Sequence, residues 1–212
     1  MSQELLTIPA DDVHIEGLLE LPADARGLVL FAHGSGSSRH SPRNNYVARV
    51  LHACGTGTLL LDLLTLGEDL DYQTRFDIPL LTHRLLIATR FVMQHTPASR
   101  HLPVGYFGAS TGAAAALQAA AALGAEVQAV VSRGGRPDLA GAHDLVRVQA
   151  PTLLLVGGAD TEVLELNQAA YAKLHCEKEL AVIPGATHLF EEPGALEEVA
   201  RQAADWFTRH WK

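Results

Sequence analysis

Gly108-Ala109-Ser110-Thr111-Gly112 spells G-x-S-x-G and lies between the apolar run 104–107 and the alanine-rich segment 113–122. A strand that turns sharply into a helix at this point holds the serine hydroxyl at the end of a sheet in a strained conformation. Glycines on either side leave room for the neighbouring backbone. The pentapeptide alone is equally compatible with an incidental serine in a glycine-containing loop. A serine hydroxyl is a weak nucleophile until a base takes its proton, so the chemistry needs a histidine and an orienting acid downstream, in the order Ser, Asp, His. Asp160 follows the apolar run 152–156 through Gly157-Gly158-Ala159, and His188 ends Pro184-Gly185-Ala186-Thr187-His188 after the run 179–183. Alone, the aspartate reads as a cap or turn residue and the histidine as a surface residue. In register with the serine they read as a triad in which Ser110 attacks an acyl carbonyl. His188 then accepts the proton and returns it to the leaving group, while Asp160 holds the imidazole. Glu162 and Asp138 are the competing acids.

Acyl transfer also needs donors aimed at the developing oxyanion. His33-Gly34-Ser35-Gly36-Ser37-Ser38 follows the apolar run 28–32, and its small residues can turn backbone N–H groups into a site. The N–H of Ser35, with Gly34 as the alternative, and the N–H of Thr111 are the expected donors. The segment lacks the G-x-x-x-x-G-K-[ST] pattern of a phosphate-cradling loop and the spacing of a dinucleotide fingerprint. Downstream, Arg39-His40-Ser41-Pro42-Arg43-Asn44-Asn45 gathers polar groups, so Arg39 and His40 are candidate contacts for an anionic substrate group; a solvated loop opening a helix is the competing reading. Arg133-Gly134-Gly135-Arg136 follows the run 127–132 and emerges at the same edge as Ser110. A guanidinium of Arg133 or Arg136 there either grips a carboxylate or phosphate in two-pronged fashion or holds the loop through a structural ion pair, to Asp138 for instance.

The elements that must position these residues alternate short apolar runs with longer amphipathic segments, the pattern of a mostly parallel sheet covered by helices. Strands are expected at 5–8, 13–21, 27–33, 58–62, 104–107, 127–132, 152–156 and 179–183. The first two pair antiparallel, because residues 9–12 are too few for a crossover. Helices are expected at 44–53, 78–95, 111–122, 162–174 and 196–210, with a weaker segment at 138–144. The alanine run within 111–122 suits a helix packed closely on a sheet.

A chain of 212 residues with 48% hydrophobic residues is expected to fold as one domain over 1–212. No apolar run approaches the roughly 20 residues of a membrane span, and Met1-Ser2-Gln3-Glu4 lacks the basic start of a secretory signal, which points to the cytoplasm and no membrane partner. A net charge of −8 argues against a nucleic-acid surface. Cys54 and Cys176 fit neither a disulfide framework nor metal-ligand spacing, so no metal is expected.

Together, residues 31–36, 105–112, 157–160 and 185–188 resemble the α/β-hydrolase superfamily, specifically its compact dienelactone-hydrolase-like branch, and the likeness spans nearly the whole chain. The resemblance implies hydrolysis of esters or lactones without a cofactor; a small or short-chain carboxylic ester is the expected small-molecule substrate, and a monomer or weak homo-oligomer the expected state. Dienelactone hydrolases carry cysteine at the turn where this chain has Ser110, so general esters fit better than dienelactone. Many superfamily members insert a helical cap after the strand corresponding to 127–132. Residues 133–151 are too few for one, which leaves a shallow site suited to short acyl groups. Related sequences can occur joined to a phosphoribosyltransferase domain, which leaves a phosphorylated substrate open. A lactonase, thioesterase or acyltransferase on the same triad, and a non-catalytic binding protein, are the alternatives.

Overall fold

The computed structural model describes residues 1–211. Among them, eight strands form one sheet in the order β1-β2-β4-β3-β5-β6-β7-β8. β1 (Ser2–Ala10) and β2 (Val13–Leu21) make an antiparallel hairpin, turned at Asp11 with φ 56°. β2 pairs antiparallel with β4 (Gly57–Asp62). All later pairings, through β3 (Leu28–Ala32), β5 (Val104–Ala109), β6 (Val127–Arg133), β7 (Thr152–Gly157) and β8 (Lys178–Ile183), are parallel. Parallel strands covered on both faces must be apolar on both, and β3, β5 and β7 are buried throughout. β1 runs well beyond the expected 5–8. Its first residues are exposed and carry no apolar signal, yet the ladder to Leu18–Leu21 of β2 holds them.

Helices α1 (Pro42–Ala53) and α6 (Ala195–His210) pack on one face of the sheet with Phe31, Phe107 and Val131 beneath them. Helices α2 (Ile78–Gln94) and α3 (Thr111–Leu123) cover the other, over Leu30, Tyr106 and Val130. Successive residues of one strand thus serve opposite cores, as the pleat requires. The alanines of α3 are almost all fully buried, which is the close helix-on-sheet approach their size permits.

Two segments depart from the expected pattern. Residues 63–77, read as no element, form an excursion with 3₁₀ turns at Glu68–Leu70 and Thr74–Phe76. A reciprocal cap fastens it: the Thr65 N–H donates to Glu68 Oε2 at 2.8 Å and the Glu68 N–H to Thr65 Oγ1 at 3.2 Å, while the buried Arg84 of α2 donates to Glu68 Oε1 at 2.9 Å. The weak segment 138–144 is two pieces, a 3₁₀ turn Pro137–Ala140 and a short helix α4 (Ala142–Leu145). They part at Gly141, whose φ of 81° suits only glycine. With α5 (Thr161–Lys173) following β7 directly, there is no cap domain among the described residues.

Candidate active site

β5 enters α3 through Ser110, whose φ of 49° and ψ of −121° lie where a side chain is strained. The turn is tight enough to demand its glycines. A Cβ on Gly112 would come within 2.1 Å of the Ala32 carbonyl oxygen, and one on Gly108 within 2.5 Å of the Ala113 Cα. The Ser110 N–H is anchored by the Arg133 carbonyl at 3.3 Å. Ser110 is the N-cap residue of α3, yet its hydroxyl makes no capping bond and stays free for other work.

Asp160 repeats that pattern. It sits at the N-cap of α5, a position aspartate favours because its carboxylate can accept from the first-turn N–H groups. It makes no such bond. Its Oδ2 instead accepts from His188 Nδ1 at 2.7 Å across 28 residues of sequence. That bond puts the Nδ1 proton toward the carboxylate and leaves Nε2 as the basic nitrogen. The histidine loop is held by the Thr187 hydroxyl donating to Glu192 at 2.7 Å and by the buried Phe190, which takes a φ of 55°. Gly134, just after β6, lies against this loop: a Cβ there would sit 3.5 Å from His188 Cε1. The carboxyl ends of β5, β6 and β7 and the loop after β8 thus place Ser110, Arg133, Asp160 and His188 around one edge. The competing acids lie elsewhere in bonding terms. Asp138 is held by Arg136 through two bonds of 2.9 and 2.8 Å, and Glu162 is exposed on α5.

The loop after β3 lies over the elbow, where a Cβ on Gly34 would meet Ser110 Cβ at 2.9 Å. The Ser35 N–H donates to Thr111 Oγ1 at 3.1 Å, so this hydroxyl tethers the loop to α3. The Thr111 N–H, at the first position of the helix, has no intrahelical acceptor.

Arg39 is already answered. Glu16 and Asp62 stand opposite each other in the β2–β4 register, where like charges repel. Arg39 bridges them, Nη2 to Glu16 at 2.7 Å and Nη1 to Asp62, with its N–H on Asp62 Oδ1 at 2.6 Å. His40 is exposed beside it, and both line a cleft of about 580 Å³ that runs along His33, Ser37, Ser38 and Asp62. Arg133 makes no ion pair among the described residues. It is buried, with its Nε and Nη1 unpartnered, and sequence reasoning could place it at the edge but not foresee that state. No group of three or more histidine, cysteine or acidic residues fit to hold a metal occurs among the described residues, and no helix among them is long and apolar enough to cross a membrane.

The sheet order, the strained turn after β5 and the absence of a cap define an α/β hydrolase. A solved dienelactone hydrolase from Anabaena variabilis is 53% identical, over 100% of this chain and 99% of that one, with a TM-score of 0.95. The chain belongs to the dienelactone-hydrolase-like family of α/β hydrolases. Est1E from Butyrivibrio proteoclasticus (15% identical, TM-score 0.83, 97% and 98% covered) shares the fold. So does an α/β serine hydrolase without lid from Xanthomonas campestris (23%, 0.78, 100% and 95%). Two curated relatives from Mycobacterium tuberculosis, provisionally named phosphoribosyl transferases, are 56% identical over 210 residues, 99% of this chain. The chain spans about half of their length, 47%. No family model matches it.

Proposed function

We propose that the protein is a serine esterase that cleaves small carboxylic esters through an acyl-enzyme. The observation that carries this reading is the 2.7 Å bond between Asp160 and His188, at the sheet edge where Ser110 is held in a strained turn. Ser110 Oγ attacks the acyl carbonyl as His188 Nε2 takes its proton. The tetrahedral oxyanion collapses, breaking the bond to the alkoxide, which receives the proton from His188. Water, deprotonated by His188, then attacks the acyl-enzyme and frees Ser110 and the acid. Asp160 stabilises the imidazolium in both halves. The N–H groups of Ser35 and Thr111 receive the oxyanion. Arg133 is the preferred contact for an anionic substrate group, since the charge of Arg39 is already taken up by Glu16 and Asp62. His40, exposed on the cleft beside Arg39, contacts the outer part of the substrate.

The name phosphoribosyl transferase belongs to proteins about twice as long, and the part of them that this chain matches is, in this chain, an α/β-hydrolase domain. We therefore do not extend that activity to this chain. The test is labelling with a fluorophosphonate probe followed by peptide mapping, beside hydrolysis of nitrophenyl esters graded in acyl length. The expected outcome is a single adduct on Ser110 and highest kcat/KM on the two- to four-carbon acyl groups, about tenfold above long-chain esters, because a capless site offers little apolar wall beyond the first few methylenes. Labelling elsewhere, or a long-chain optimum, refutes it.

The Ser35–Thr111 bond yields a second prediction. A hydroxyl is a weaker acceptor than an oxyanion, so Thr111 Oγ1 gives way to the oxyanion at the transition state and otherwise holds the glycine-rich loop in place. Thr111→Val is expected to lower kcat about tenfold, equivalent to about 1.4 kcal/mol, with KM little changed. Thr111→Ser should restore most of it. A rise in kcat for the valine variant would mean that the hydroxyl competes for the donor instead of positioning it.

A further inference from the structure

The arginines around this edge differ in how their charge is met. Arg39 faces Glu16 and Asp62, Arg136 faces Asp138, and Arg43 faces Glu191. Arg133 has no carboxylate within ion-pair distance among the described residues. Only 8% of it is exposed, and Nε and Nη1 are buried without a hydrogen-bond partner. Burial, helped by the positive charge of Arg43, pushes its pKa down to about 10, so it keeps its proton at neutral pH. The Phe190 ring, its centroid 5.9 Å from Cζ, is a far weaker partner than an anion. A buried charge with no counter-ion opposes folding, and an anion that met its two unpartnered donors would offset that cost.

Its neighbours supply the rest of a site. Arg133 ends β6, paired with Ala109 of β5, and its carbonyl accepts from the Ser110 N–H, so the side chain is rooted one strand from the elbow. Adjacent strands lie about 4.8 Å apart, so Arg133 and the elbow start from neighbouring positions on one sheet edge. Arg43 belongs to the first turn of α1 and reaches across to Glu191 in the histidine loop, Nη1 to Oε1 at 3.1 Å. Its Nε is also buried and unpartnered. No acidic residue occupies that first turn; Pro42 has no N–H to offer and the Asn44 N–H is capped by Ser41 Oγ at 3.4 Å, which leaves the Arg43 N–H as the open donor at the positive end of the 12-residue helix. The amide of Asn44, with its Oδ1 unpartnered, can present a donor by turning over.

We propose that Arg133, Arg43 and the first turn of α1 form an anion subsite that takes a phosphoryl group carried by the ester substrate. The proposal rests on the esterase reading for its link to Ser110. Two guanidiniums and a helix end, set against one exposed carboxylate, match a dianion better than a carboxylate's single charge. A phosphoryl group also offers three strong acceptor oxygens to these donors. Arg43, a third exposed, turns from Glu191 to the phosphoryl as it enters.

Calorimetric titration of the full chain carrying Ser110→Ala with inorganic phosphate, at an ionic strength matched by chloride, tests the subsite without turnover. Arg43→Gln and Arg133→Met are made in the same background, and acetate serves as the carboxylate probe. Expected are binding of phosphate, at least about tenfold weaker binding in Arg43→Gln, its loss in Arg133→Met, and acetate at least about tenfold weaker than phosphate. Arg43 is exposed enough for its variant to fold whatever the buried Arg133→Met does, and far-UV circular dichroism checks both. Absent phosphate binding, or binding unchanged in Arg43→Gln, overturns the subsite. Acetate binding as tightly as phosphate overturns the phosphoryl assignment. Because no ester is hydrolysed in this experiment, either result is separate from the role of Ser110.

Discussion

Ser110→Ala is expected to lower kcat/KM on a short-chain nitrophenyl ester by roughly 10⁴- to 10⁶-fold while leaving the melting temperature almost unchanged. The first half follows from the role assigned to Oγ. Without it no acyl-enzyme forms, and what survives is binding together with the oxyanion donors proposed at Ser35 and Thr111. The second half follows from the structure of the turn. The strain at Ser110 lies in its backbone, φ 49°, and an alanine meets the same strain. The hydroxyl makes no capping bond to α3, so its removal takes nothing from the helix. Ser110→Gly separates the two effects further. Glycine adopts the left-handed side of φ without a Cβ penalty, so this variant should be as inactive as alanine yet more stable by about 1 kcal/mol. Steady-state kinetics beside thermal melts of the three proteins decide the matter. Activity within about tenfold of wild type in either variant removes the serine mechanism.

The legible part of this molecule was what local pattern dictates. Apolar runs of strand length separated by amphipathic segments announced the sheet, and a Gly-x-Ser-x-Gly turn at a strand end announced the elbow, because both signals lie within a few residues of sequence. Asp160 and His188 are singled out by their place after β7 and β8, and the structure joins them by a bond of 2.7 Å. What escaped depends on partners far away along the chain. Arg39 looked like a free cation in a polar loop. It is a clamp on two carboxylates that the β2–β4 register sets face to face, and that register cannot be read from residues 39–45. The pair Arg133 and Arg136, alike in sequence, have opposite fates. Arg136 finds Asp138 two residues on, whereas Arg133, its side chain at the end of a covered strand, is buried with none. The excursion 63–77 offers no periodicity, since its order comes from one reciprocal Thr65–Glu68 cap and a buried arginine of α2. Gly141 divided a segment whose apolar spacing had suggested one helix.

Asp160→Asn should show catalysis and stability moving in opposite directions. In the wild type the carboxylate accepts the His188 Nδ1 proton at 2.7 Å, which fixes the tautomer with Nε2 free to act as base. An asparagine amide can turn its NH₂ toward the ring and favour the tautomer with the proton on Nε2, where it is useless as a base. In serine hydrolases with this arrangement the corresponding change costs on the order of 10⁴-fold in kcat. The same substitution should do no harm to the fold. Asp160 occupies the N-cap of α5 without capping it, because its carboxylate is committed to the histidine. Asparagine ranks with aspartate as an N-cap, and once released from His188 it can accept from the free N–H groups of the first turn, a gain of up to about 1 kcal/mol. The expected record is a kcat lower by about four orders of magnitude, KM within a few-fold, and a melting temperature equal to or a few degrees above wild type. Measuring Asp160→Ala alongside it gives the check, because alanine can neither orient the imidazole nor cap the helix and should melt below the asparagine variant. If Asp160→Asn instead lost stability and kept its turnover, the aspartate would be a structural residue and the acid of the site would have to be sought elsewhere. The carboxylate at the end of the loop that joins β7 to α5 is thus committed to His188, at the expense of the cap its helix would otherwise have.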